Sequence, residues 1–170
     1  MGGMLRLAAQ SYSSPGQILQ RANEVLFPYI PHNMFVTCLY AILDPNSGGL
    51  TYANAGHDLP YLHRNGAAEE LRARGMPLGL MPRMSYEEKE TILQAGEAAL
   101  LYSDGLVEAH DPNGEMFGFP RLRALIARHG GEARSLGDSL MEELYSFVGE
   151  GWEQEDDITL LTLRRSSSLS

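Results

Sequence analysis

Residues 34–43, MFVTCLYAIL, run directly into Asp44-Pro45-Asn46-Ser47-Gly48-Gly49, and LTYANAG (50–56) follows. The first run is short, apolar and rich in strand formers. The six residues after it are turn formers: Asp and Asn bond nearby backbone, Pro presets φ, and Gly accepts positive φ. Strands joined this tightly pair antiparallel, because a parallel crossover needs a dozen or more residues. A hairpin is therefore expected. The first run lacks polar alternation, so its strand is expected to be buried on both faces. Such a hairpin argues against a fold made of alternating βαβ units.

The rest of the chain agrees. Met1, Met4, Leu5, Ala8 and Ala9 recur at helical spacing without a capping residue before them. Ser14-Pro15-Gly16-Gln17 opens a second helix, with a cap, a proline at the first helical position and a glutamine three residues after the cap. Ile18, Ala22, Val25 and Leu26 line its face, and Pro28 ends it near Phe27. Further strands are expected at LPYLHR (59–64), YEEKETI (86–92) and EAALLYS (97–103). Asp111-Pro112-Asn113-Gly114 reads as a turn. Leu122, Leu125 and Ile126 mark a helix stopped by Gly130-Gly131. Leu136, Leu140, Met141, Leu144 and Val148 mark another, and DITLLTL (157–163) is the last strand. Helices at both ends of a run of antiparallel strands make the expected class α+β. The expected organisation is a single domain over residues 1–165 and a disordered tail over 166–170.

Composition narrows the function classes. The 170 residues carry a net charge of -9, which argues against nucleic-acid partners, since a phosphate groove needs a basic stripe. Hydrophobic residues are 44% and charged residues 21%, as in a folded globular chain. The single cysteine, Cys38, excludes a disulfide framework within the chain and a thiolate zinc cluster. No apolar run approaches the ~20 residues that span a bilayer, and the N-terminus lacks the apolar core of a secretion signal, so direct membrane insertion is not expected. The expected location is the cytoplasm.

Several common sites are missing. There is no G-x-G-x-x-G and no G-x-x-x-x-G-K-[ST]. Ser103 lies in L-Y-S-D-G, which lacks the first glycine of a nucleophile elbow. His57 and His63 are not placed four apart on a helix, as a zincin site requires. The acidic residues are more informative. Asp104 follows one apolar strand, and Asp156 and Asp157 precede another. Were these strands antiparallel neighbours, their carboxylates would converge on one edge of the sheet. Carboxylates brought together repel unless a cation neutralises them, and Mg²⁺ or Mn²⁺ suits all-oxygen ligands. Taken alone, Asp104 fits a turn or helix cap. Asp156 and Asp157 alone fit the end of a solvated acidic loop, Glu150–Asp157, with five carboxylates. Spacing does not choose between Asp156 and Asp157. Trp152, beside that loop, reads as a packing residue.

Six words in order carry a resemblance: FVTCLYAILD (35–44), YANAGHDLPYL (52–62), GMPLGL (75–80), LLYSDGLVEA (100–109), GEMFG (114–118) and DDITLL (156–161). Together they resemble the SpoIIE-type branch of the metal-dependent (PPM, type 2C) protein serine/threonine phosphatases. The resemblance implies an αββα sandwich that hydrolyses phosphoserine or phosphothreonine with two Mn²⁺ or Mg²⁺ ions and a metal-bound water. It implies that Asp104 and Asp156 are the metal-binding, catalytic residues. Gly105, Asp157 and His57 are candidate supporting residues; His57 by itself reads as a turn histidine bonded to nearby backbone, and Gly75, Pro77 and Gly79 as loop-shaping residues. The implied partner is a phosphorylated anti-sigma-factor antagonist of the STAS type, in bacterial partner-switching signalling. The outer faces of the first two helices could pair two copies in a homodimer, and the same pattern fits packing on the sheet equally well.

The resemblance also implies upstream strands bearing a Gly-Gly-Asp word and an Asp-Val-Ser-Gly-type word, whose aspartates complete the metal site. This sequence matches neither; Gly2-Gly3 is followed by Met4. The expectation is a phosphatase domain lacking its first strands, with weak metal binding and little or no activity of its own. The alternative is a phosphatase-like module that binds such an antagonist without turnover.

Overall fold

The computed structural model describes residues 14–130, 135–151 and 156–166. The expected helix over 1–9, Trp152 and residues 167–170 of the expected tail lie outside them. The chain divides into two compact units. One comprises the residues up to Leu59 together with Arg72–Ile92, and the other Pro60–Leu71 together with the residues from Leu93 onward.

In the first unit, helix α1 (Pro15–Leu26) starts as its sequence requires. Ser14 is the N-cap and its side chain accepts from the Gln17 amide. Its buried face is Ile18, Leu19, Ala22 and Asn23. The helix packs against β1 (Cys38–Leu43) and β2 (Gly49–Ala55), the expected hairpin. Asp44 makes the turn between them: Oδ1 accepts from the Asn46 amide and Oδ2 from the Ser47 hydroxyl. Strand β5 (Glu88–Ile92) pairs with the other edge of β2, giving an antiparallel sheet of order β1-β2-β5. Leu19, Ala22, Ala53, Ala55, Leu78 and Tyr86 form the core.

One expectation is corrected here. β1 is not buried on both faces, because among the described residues it is an edge strand paired only with β2. Cys38 and Tyr40 pack against the core, but Ile42 and Leu43 stay outside it and are exposed. Met34 and Phe35 precede the strand and are more than half exposed; only Val36 is paired, with Leu78.

The second unit holds an antiparallel sheet of order β4-β3-β6-β7, with β3 (Tyr61–Arg64), β4 (Ala67–Glu70), β6 (Ala98–Tyr102) and β7 (Leu160–Arg164). β4 was not expected from its composition, AAEE. Its signal is the turn before it: Asn65 and Gly66 both have positive φ, as a tight two-residue hairpin demands. After β6 come a single turn, α2 (Gly105–Glu108), and then α3 (Gly118–Arg128) and α4 (Leu136–Val148). Helix α3 packs on β3 and β4, and α4 on β6 and β7. Leu122, Leu125 and Ile126 are buried on α3, and Leu136, Leu140, Leu144 and Val148 on α4, as their spacing predicts. β6 is central in the sheet, which is why its apolar residues need not alternate with polar ones. β7 starts at Leu160, later than expected; residues 157–159 pair with Ser103 in another way, described below. Arg164 ends β7, and Arg165 bonds the turn before β6 through the Leu93 carbonyl. No helix among the described residues is long and apolar enough to cross a membrane.

Candidate metal centre

Strands β6 and β7 run antiparallel, with Tyr102 opposite Leu160 as the last ladder pair. The end of β6 therefore lies beside the start of β7. Past the ladder, the Ser103 amide donates to the Thr159 carbonyl at 3.0 Å. The Ser103 hydroxyl accepts from the Thr159 amide at 2.9 Å and donates to the Asp157 carbonyl at 3.0 Å. Asp104 comes next and turns the chain into α2; its Oδ1 accepts from the Gly105 amide at 3.0 Å. Gly105 is buried against the opposite segment. A Cβ there would lie 2.8 Å from the Asp157 carbonyl oxygen, so only glycine lets the two backbones approach this closely. Asp156 Oδ1 accepts from the Asp157 amide at 2.7 Å.

Asp104 is thus a helix cap, as its local sequence suggests, and Asp156 accepts from the next amide in an exposed segment. Neither role removes a side chain from solvent: Asp104, Asp156 and Asp157 are all exposed. Among the described residues, no group of three or more His, Cys, Asp or Glu side chains is placed to hold a metal ion. The donor chemistry at the two strand ends still suits a hard divalent cation. Mg²⁺ prefers oxygen ligands, keeps several waters, and commonly uses one or two protein carboxylates with substrate phosphate completing the shell.

His57 belongs to the first unit. Its amide donates to Asn54 Oδ1 at 2.7 Å, and Asn54 Nδ2 donates to its carbonyl at 2.8 Å. The ring Nδ1 lies 3.2 Å from the Asp58 carbonyl. This is a turn histidine bonded to nearby backbone. The GMPLGL loop braces the turn: Gly75 backs onto the Asn54 carbonyl with no room for a Cβ, and Pro77 packs on Gly56.

Two residues that position these segments were not singled out by sequence reasoning. Ser103 looked like a failed nucleophile elbow, and its bonds to residues 157–159 depend on a strand pairing 56 residues away. Asn23 is a fully buried polar residue on α1 that bonds the Gly79 amide and the Met81 carbonyl. The available signal was a lone Asn among the core-facing residues of an amphipathic helix.

The family model for stage II sporulation protein E (SpoIIE) matches residues 1–166. The chain belongs to the SpoIIE family. Phosphoserine phosphatase RsbU of Bacillus subtilis is 30% identical over 154 residues, covering 89% of this chain and 45% of that protein. The chain spans less than half the length of the curated relatives it matches. Two solved structures show that the SpoIIE-family fold here is that of PP2C phosphatase domains, a mixed α+β architecture. The SiaA-PP2C domain of Pseudomonas aeruginosa has a TM-score of 0.79 at 21% identity, covering 95% of this chain and 66% of that one. The phosphatase domain of SpoIIE from B. subtilis, presoaked with Mn, has a TM-score of 0.68 at 18% identity, covering 99% and 73%.

Proposed function

We propose that this SpoIIE-family chain is the catalytic part of a Mn²⁺- or Mg²⁺-dependent phosphoserine/phosphothreonine protein phosphatase. The reading rests on one observation above all: Asp104 follows β6 by two residues and Asp156 precedes β7 by four, on segments that Ser103 joins, in a chain that matches the family along nearly its whole length. In this reading Asp104 and Asp156 hold the cation. Gly105 admits the Asp157 backbone, and the Asp157 amide donates to Asp156 Oδ1. His57, in the first unit, closes the Asn54 turn through its backbone amide and carbonyl. A divalent cation held there would lower the pKa of water and neutralise charge on the phosphoryl oxygens, and a second ion would complete the two-ion chemistry. The proposed substrate is a phosphorylated STAS-type anti-sigma-factor antagonist in a cytoplasmic partner-switching system.

A second reading is a phosphatase-like module that binds the phosphorylated antagonist without hydrolysing it. Mn²⁺-dependent hydrolysis of p-nitrophenyl phosphate, beside Asp104→Asn and Asp156→Asn, tests the first reading. Activity that needs Mn²⁺ and falls about 100-fold in either variant supports it. Mn²⁺-dependent activity unchanged in both variants overturns the site. Stable capture of a phosphorylated antagonist with no turnover favours the second reading.

A further inference from the structure

We infer that Ser103 is a positioning residue for the proposed metal site, its hydroxyl setting the separation of the Asp104 and Asp156 carboxylates. The inference rests on the reading of Asp104 and Asp156 as metal-holding residues.

The β6–β7 ladder stops at Tyr102 and Leu160, and both chains then leave strand geometry. Asp104 takes a helical conformation, with φ −54° and ψ −33°. Residues 157–159 are in no strand. Beyond the ladder one backbone bond remains, from the Ser103 amide to the Thr159 carbonyl at 3.0 Å. The Ser103 hydroxyl carries the contact on to Asp157, because it bonds two peptide groups of the opposite segment at once. It accepts from the Thr159 amide at 2.9 Å and donates to the Asp157 carbonyl at 3.0 Å. A hydroxyl can accept and donate together; an alanine can do neither. Ser103 is bonded in sequence to Asp104, and the carbonyl it holds belongs to the residue after Asp156. Gly105, on the other side of Asp104, closes on the same Asp157 carbonyl. Asp104 is thus flanked on both sides by residues docked on one peptide group of the Asp156 segment. Groups that orient metal ligands in this way typically alter affinity 10- to 100-fold when removed.

The test is a titration of the intact chain with Mn²⁺, followed by paramagnetic broadening of its amide NMR signals, with thermal unfolding measured alongside. The unchanged chain, Ser103→Ala, Ser103→Thr and Asp104→Asn are compared. The expected result is saturable broadening of amides around 104–106 and 156–159. Its midpoint should rise about 10-fold or more in Ser103→Ala and return close to the starting value in Ser103→Thr, which keeps the hydroxyl. A residue that merely stabilises the fold would change the unfolding temperature and leave the midpoint alone. Ser103→Cys, isosteric with a much weaker donor and acceptor, gives the same comparison should Ser103→Ala not fold. An unchanged midpoint in Ser103→Ala or Ser103→Cys, with binding lost in Asp104→Asn, overturns this inference and leaves the metal site standing. An unchanged midpoint in Asp104→Asn, or no saturable broadening in the unchanged chain, overturns the site and the inference with it.

Discussion

Asn23 Oδ1 accepts a hydrogen bond from the Gly79 amide at 2.8 Å, joining α1 to a loop 56 residues away in the interior of the first unit. The same side chain donates to the Met81 carbonyl at 2.9 Å. Asn23→Leu keeps the volume and removes both bonds, stranding a buried N–H and a C=O. The expected loss is about 2–4 kcal/mol, read as a lower midpoint in urea unfolding. A variant as stable as the parent would mean that this latch contributes nothing.

Gly75 offers a second check on that unit. An added Cβ would overlap the Asn54 carbonyl and lie 2.6 Å from the Tyr86 ring. Gly75→Ala should cost about 1–3 kcal/mol and shift the NMR signals of His57, whose turn Asn54 holds. Gly130→Ala is the control: nothing lies within 4 Å of its Cβ, and a change within about 0.5 kcal/mol is expected.

In the second unit, Arg64 grips Glu97 with two bonds, Nε to Oε1 at 2.6 Å and Nη2 to Oε2 at 2.9 Å. Glu97 also accepts from the Gln94 amide. The Arg64 hydrogen bond, more than any other contact, holds the Glu97 carboxyl below its ordinary value of 4.5. A lowered folded value means stability that is present above 4.5 and lost as pH falls through the folded value. Glu97→Gln should cost about 1–2 kcal/mol at neutral pH, discounted for the solvent that reaches Arg64. The gap between parent and variant should close in strongly acidic solution. A pH-independent gap would assign the loss to packing instead.

His129 gives the opposite end of the acid profile. It meets His63 edge to face, with ring centroids 6.0 Å apart. Burial pushes its pKa below the ordinary 6.5, and His63 and Arg164 add to the effect. Its contribution to stability is therefore complete above pH 6.5 and is lost as pH falls from there through the lower folded value. The unfolding temperature should decline over that interval, and His129→Phe should flatten this part of the curve. An identical decline in the variant would point to another group.

Much of this architecture was legible in the chain's local chemistry. Ser14, Pro15 and Gln17 announced α1, and the Asp44–Gly49 turn announced the hairpin, because caps and turns act through neighbouring backbone. The apolar spacing of α3 and α4 named their buried faces correctly. The errors have physical causes. β1 looked buried because its residues are apolar, yet exposure depends on which strands pair beside it. β4 was missed because Ala67–Glu70 has no strand composition; it is a strand only because Asn65-Gly66 folds it back on β3. Residues 157–159 have strand composition but lie outside the ladder, held by the hydroxyl and the amide of Ser103.

The candidate site divides along the same line. Asp104 and Asp156 could be singled out from strand-end carboxylates and from the six words that place the chain in its family, all readable in one dimension. Their neighbourhood could not. Whether the end of β6 meets the start of β7 depends on sheet order, and sheet order follows from burying α3 and α4 against the four strands together. Local propensities specify segments, whereas the 56-residue closure between Ser103 and Thr159 is specified only once the core that joins those segments has formed.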